Sequence, residues 1–134
     1  MEEEIRILLV EPGERPRLVT IEHTLEKLQE MVDGYIECHY PWEDPVALVC
    51  CGDAKLKGYP PNRMLLDDKG EPYDFIAGNF FICGLSYDNL ASISNDLAEK
   101  YTDLFYWPEM LLRTMDGHVV WIRMKPGEEP KVIV

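Results

Sequence analysis

The stretch KLKGYPPNRMLLDDKGEPYDFIAGNFFICGL, residues 55–85, decides how this chain is read. It opens on a Tyr59-Pro60-Pro61-Asn62-Arg63 corner, passes an acidic turn at residues 67–70, and enters the longest run without charge, residues 75–87. That run is rich in aromatic and β-branched residues and is interrupted at Gly78-Asn79. It reads as two short strands, 73–77 and 80–85, or as one strand broken where glycine marks a bulge or a close backbone approach. The run is too short and too polar to span a bilayer.

The flanking segments supply the rest of a fold. Towards the N-terminus, VALVCC (46–51) is uninterrupted apolar sequence, the pattern of a central strand covered on both faces. Residues 35–40 alternate, with Ile36, Cys38 and Tyr40 on one face and Glu37 and His39 on the other, as a half-buried strand does. Residues 24–33 predict a helix with Thr24 as N-cap, an inner face of Leu25, Leu28 and Val32, and a stop at Gly34. EIRILLV (4–10) and residues 18–21 flank Glu11-Pro12-Gly13-Glu14, whose Pro-Gly centre suits a type II turn, so a hairpin is expected there. Towards the C-terminus, Ser94 caps a second helix, 95–105, with Leu97, Tyr101, Leu104 and Phe105 inward. Beyond Trp107-Pro108, residues 109–115 read as a short helix or a strand, and Asp116-Gly117, a two-residue hairpin signal, favours a strand joined to 119–124.

The Pro-Gly-Glu turn recurs at residues 126–128, again between apolar segments. Either one turn recipe serves twice, or a hairpin is duplicated and both copies lie at related edges of one sheet. Two copies so far apart exclude a solenoid. The expectation is a single α+β domain over residues 1–134: a mostly antiparallel sheet of about five to seven strands with two main helices. Residues 108–134 then form a C-terminal hairpin extension.

A chain of 134 residues, 46% apolar, is long enough for one buried core. The opening Met1-Glu2-Glu3-Glu4 is acidic where a secretory leader is basic, which points to the cytoplasm. Cys38, Cys50, Cys51 and Cys83 lie in apolar segments and read as small buried hydrophobes. Cys38, His39, Cys50 and Cys51 match no zinc framework, so no metal is expected. Nor is a cofactor, since the phosphate-loop, dinucleotide and metalloprotease signatures are missing from the sequence. His23, His39 and His118 are scattered and accompany no nucleophile motif.

Net charge is −12, spread along the chain. Thirteen Lys and Arg against twenty-five acids disfavour binding to duplex nucleic acid; the acidic excess serves either solubility and self-repulsion or a meeting with basic surfaces. The corner is the exception, because residues 54–66 carry Lys55, Lys57 and Arg63 and no carboxylate. Lys57, Tyr59, Asn62, Arg63 and, beyond Gly78, Asn79 are therefore the candidate ligand-binding residues, suited to a small anionic nucleotide through the planar fork of Arg63. The competing reading has Arg63 paired with Asp67, Asp68 or Glu71 and simply pinning a loop.

Val10-Glu11-Pro12-Gly13, Gly34-Tyr35-Ile36-Glu37, Tyr40-Pro41, Asp44-Pro45-Val46-Ala47, Pro61-Asn62-Arg63, Ile76-Ala77-Gly78, Phe80-Phe81 and Leu97-Ala98-Glu99-Lys100 occur in this order. Over residues 5–107 the chain resembles a family of small proteins of phages and mobile elements of Gram-positive bacteria, known as a domain of unknown function. The resemblance implies no catalytic residues. It implies a setting, from which the expected function is a non-enzymatic accessory protein that binds and interferes with a host defence component. Two mechanisms remain open: an acidic mimic of nucleic acid, or sequestration of a nucleotide signal. The alternatives are an enzyme on a small phosphorylated ligand with Arg63 as anion clamp, and an assembly adaptor that forms homo-oligomers through the apolar edge at Val132-Ile133-Val134.

Overall fold

The computed structural model describes residues 3–87 and 89–134, so the acidic opening read at Met1 and Glu2 lies partly outside it. The strand β4 (Val46–Cys51) is buried at every position, as its unbroken apolar sequence requires. It lies inside a six-stranded antiparallel sheet with β1 (Glu4–Val10), β2 (Arg17–Glu22), β3 (Ile36–His39), β7 (Phe80–Ser86) and β8 (Asn89–Ala91). The order is β2-β1-β7-β4-β3, with β8 paired to β7.

Strand alternation gives this sheet two apolar faces. Ile7, Leu9, Val49 and Phe81 form one core with Leu28 and Val32 of α1 (Leu25–Val32). Leu8, Leu48, Phe80 and Ile82 form the other with Ala98 and Tyr101 of α2 (Asn95–Leu104) and with Phe105. Each such side chain, fully buried, contributes roughly 1.5–3 kcal/mol of transfer free energy. Both N-caps are as the sequence predicts, Thr24 accepting from the Lys27 N–H and Ser94 from the Leu97 N–H. The inner faces differ by one residue each. Leu25 is 55% exposed and Met31 packs inward instead, while Leu104 is 46% exposed and Ala98 is buried. Leu25 lies in the first turn of α1 and Leu104 in the last turn of α2, where periodicity alone does not fix burial.

The corner is corrected. Pro61, Asn62 and Arg63, read as part of a corner, belong to strand β5 (Pro61–Leu66), paired with β6 (Pro72–Ala77) in a two-stranded ribbon. Proline at the first strand position loses no ladder bond and holds the backbone extended, which lets Met64 and Leu65 bury. The acidic turn closes the ribbon: Asp67 Oδ1 accepts from the Lys69 and Glu71 N–H groups, and Gly70 takes φ +79°.

The C-terminal segment has three strands, not a bare hairpin: β9 (Glu109–Arg113), β10 (Val119–Arg123) and β11 (Lys131–Val132). The β9–β10 connection is longer than two residues, with the Gly117 N–H bonded to the Thr114 carbonyl. Both Pro-Gly turns close alike, Glu14 N–H to Glu11 O and Glu128 N–H to Lys125 O, each at 3.1 Å, with Gly13 and Gly127 at positive φ. They belong to different sheets, so the placement at two edges of one sheet does not occur. The α+β architecture with two helices stands, with eleven strands in three sheets among the described residues where one sheet of five to seven was expected. No helix among the described residues is long and apolar enough to cross a membrane.

Candidate functional site

The five candidate residues are not one site. Asn62 and Arg63 are each 1% exposed and turn into the body of the protein. Asn62 Nδ2 donates to the carbonyls of Val10 and Gly78, both at 2.9 Å. Arg63 donates through Nε and Nη2 to the Phe105 carbonyl at 3.1 and 3.0 Å, through Nη2 to the Glu14 carbonyl, and through Nη1 to Asn62 Oδ1 at 2.8 Å. Its fork thus spans the β1–β2 turn, β5 and the C-terminus of α2, whose last turn carries no basic residue of its own. Burial pulls Arg63 below its ordinary pKa, and the nearby Glu109 charge opposes that. The pairing with Asp67, Asp68 or Glu71 is not made, and the same saturation of donors leaves no fork for a nucleotide.

Lys57, Tyr59 and Asn79 gather elsewhere, around the C-terminus of α1. The Tyr59 hydroxyl donates to the Asp33 carbonyl at 2.7 Å, and Asn79 Nδ2 to the Met31 carbonyl at 3.4 Å. Lys57 lies 3.4 Å from Asp53. Gly78, at φ +74°, lies so close under the Tyr59 ring that an added Cβ would stand 2.9 Å from Cδ2. The close approach predicted at Gly78 is made by this ring.

A groove of about 260 Å³ lies between the outer face of β3 and β4 and the β5–β6 ribbon. Its lining includes Glu37, His39, Cys50, Cys51, Asp53, Lys55 and Asp74. The antiparallel register sets Glu37 opposite Cys50, and His39 follows Glu37 on the same face. Glu37 Oε1 and His39 Nε2 are 3.9 Å apart, and donor atoms of Glu37, His39 and Cys50 all lie within 4.8 Å of one another. Alternation carries Cys38 and Cys51 to the opposite face, into the α1 core. The sequence set Cys38/His39/Cys50/Cys51 is therefore split by the sheet, and Glu37, which composition disguised as one more surface acid, takes a place beside His39. Burial, reinforced by Glu37, pushes the Cys50 thiol up to about 11. Burial pushes the Asp74 carboxyl up, but Lys55, donating at 2.7 Å, and the Phe75 N–H together outweigh it and leave that carboxyl below its ordinary value.

The surface divides by charge. Residues 1–107 hold twenty-one acids against nine Lys and Arg, which is the whole net charge, whereas residues 108–134 hold four of each. Exposed acids include Glu22, Glu26 and Glu30 beside α1, Asp96, Glu99 and Asp103 on α2, and Asp67, Asp68 and Glu71 in the ribbon turn. The neutral three-stranded sheet is tied down by Glu109, whose Oε1 accepts from the Met64 N–H and from Trp121 Nε1, both at 2.8 Å. Its other face carries Met110, Leu112, Val120, Ile122 and Val132, brought together by the register of β9, β10 and β11. Met110, Leu112 and Val132 are 44–61% exposed.

Residues 5–106 match the family model described as "Domain of unknown function (DUF3846)", and the chain belongs to that family. The matched span ends just before β9. Comparison with curated proteins finds no match, and comparison with solved structures finds none.

Proposed function

We propose that this DUF3846 protein is a non-enzymatic binding protein that occupies a basic, nucleic-acid-binding surface on a host defence component. The observation that carries the reading is the charge division, a body with net charge −12 joined to a neutral sheet. Acids distributed over helices and turns of one body present the sign and density of charge that a nucleic-acid site attracts. The setting is the one the family resemblance implies, a phage or mobile element, and the site of action is the cytoplasm. Sequestration of a nucleotide by Lys57, Asn62 and Arg63 is the weaker mechanism, because Asn62 and Arg63 spend their donors on backbone carbonyls.

The test is displacement. Nucleic-acid-binding defence proteins carrying labelled duplex are titrated with the chain, and anisotropy reports release of the duplex. Release that weakens steeply with salt, and weakens in a variant with Glu22, Glu26 and Glu30 changed to Gln or in one with Asp96, Glu99 and Asp103 neutralised, is the expected outcome. A phage-protection assay in which both neutralised variants suppress defence as well as the parent would overturn it.

A second reading, an assembly adaptor, is favoured by the uncovered apolar face of Met110, Leu112, Val120, Ile122 and Val132. The occupant it calls for is a second copy, since the neutral sheet is where two acidic chains meet with least repulsion. Sedimentation showing a monomer at all concentrations would remove it.

A further inference from the structure

We propose that Glu37, His39 and Cys50 form a binding site for a zinc-class divalent metal ion at the wall of the groove beneath the β5–β6 ribbon. The inference is independent of the acidic-surface reading. Its basis is register: Glu37 and His39 are two apart on β3, and Cys50 is the cross-strand partner of Glu37 on β4. Three donors of three kinds therefore converge on one face, their ligand atoms within 4.8 Å of one another. Zinc bonds of about 2.0–2.3 Å give a tetrahedron whose edges are roughly 3.3–3.8 Å. For an oxygen and a nitrogen ligand the edge is about 3.3 Å, so the 3.9 Å between Glu37 Oε1 and His39 Nε2 has to shorten by about 0.6 Å on binding.

The backbone under the donors is unequal in a useful way. Cys50 sits on a strand paired on both sides, with β3 and with β7, so its backbone is held in place. Glu37 and His39 have side chains about half exposed, which leaves them room to rotate. One thiolate, one imidazole and one carboxylate make a borderline donor set, which selects zinc-class ions over magnesium or calcium. On binding, the Cys50 S–H bond breaks, its proton goes to solvent, and the sulfur lone pair forms the metal bond. The two negative ligands then balance a divalent charge. Lys55, which also faces the groove, is neutralised by Asp74. Three protein ligands leave a coordination position directed to the groove, where Leu56, Phe75 and Ile76 form an apolar wall and a water or small donor has room.

The experiment uses the full chain, reduced and stripped with chelator, titrated with Co²⁺ and then Zn²⁺. Expected is one ion per chain, with tetrahedral visible bands and a near-ultraviolet thiolate-to-cobalt band, both abolished by added Zn²⁺. His39→Ala, at a half-exposed position, weakens binding at least about 100-fold, the upper end of what even outer-sphere changes cost. Cys50→Ser removes the thiolate band, while Cys38→Ser and Cys51→Ser retain it. Circular dichroism checks that each variant is folded, and His39→Ala decides the matter if Cys50→Ser is not. Absence of stoichiometric binding, a thiolate band that survives His39→Ala at unchanged affinity, or a band lost with Cys38→Ser overturns the site.

Discussion

Replacing Arg63 by alanine tests whether a single buried guanidinium clasps the layers of this fold. The substitution strips donors from the carbonyls of Phe105 and Glu14 and from Asn62 Oδ1, in a place 1% exposed. Each buried acceptor left unpaired costs about 1–3 kcal/mol, so three give roughly 3–9 kcal/mol before relaxation. Water entering the vacated volume recovers part of this, and the guanidinium's own desolvation cost is no longer incurred. The net expectation is a loss of about 3–5 kcal/mol, the range found when one partner of a buried charged network is removed. For a domain of this size that is a fall in melting temperature of roughly 11–18 °C. The assay is urea unfolding followed by tryptophan fluorescence, with Arg63→Met as a volume control and Lys57→Ala as a solvent-exposed one. Arg63→Met should lose nearly as much as Arg63→Ala, because the donors matter and not the bulk, while Lys57→Ala should change stability by no more than about 1 kcal/mol. A loss below about 1 kcal/mol in Arg63→Ala would refute the clasp.

Three further outcomes follow from the same contacts. Glu109→Gln keeps an oxygen for the Met64 N–H and Trp121 Nε1 and should cost little near neutrality, whereas Glu109→Ala should cost about 2–4 kcal/mol. Burial holds Glu109 above its ordinary 4.5, so the folded state takes up its proton at higher pH than the unfolded one. The parent should therefore gain stability relative to Glu109→Gln as pH falls from neutrality towards 4.5, readable in paired urea melts. Gly78→Ala meets the Tyr59 ring and a φ of +74° together and should cost about 2 kcal/mol or more. Gly13→Ala, at φ +78° with open space around it, should cost only the backbone part, about 1–2 kcal/mol. Burial raises the Cys50 and Cys83 thiols to about 11 and about 12, so at pH 8 a disulfide reagent should label half-buried Cys38 first and all four thiols only after unfolding.

What the sequence makes legible is whatever has a local cause. A strand covered on both faces must be apolar without interruption, and VALVCC is. A cap binds an N–H three residues on, so Thr24 and Ser94 are readable within one turn of helix. Arg63 is the opposite case. Its partners are carbonyls 42 and 49 residues away, and a carbonyl has no side-chain signature. The acids nearest in sequence drew attention only because they were near. The Glu37–His39–Cys50 cluster was recoverable in principle. Alternation puts Glu37 and His39 opposite Ile36 and Cys38, and Cys50 opposite Cys51, so only the β3–β4 register was needed to join the two halves.

The division of charge makes the two binding readings separable by salt. Two copies meeting through the apolar face of β9, β10 and β11 join segments without net charge. Such self-association rests on apolar area, so raising salt should leave it unchanged or strengthen it slightly. Capture of a basic site depends on the acids themselves and should weaken steeply over the same range. Sedimentation of the chain alone and duplex displacement from a basic partner, run across one salt series, therefore have opposite expected slopes. Met110→Lys with Val132→Lys should abolish the first and spare the second. Self-association that falls with rising salt, or that survives both lysines, would mean that the copies meet elsewhere on the molecule.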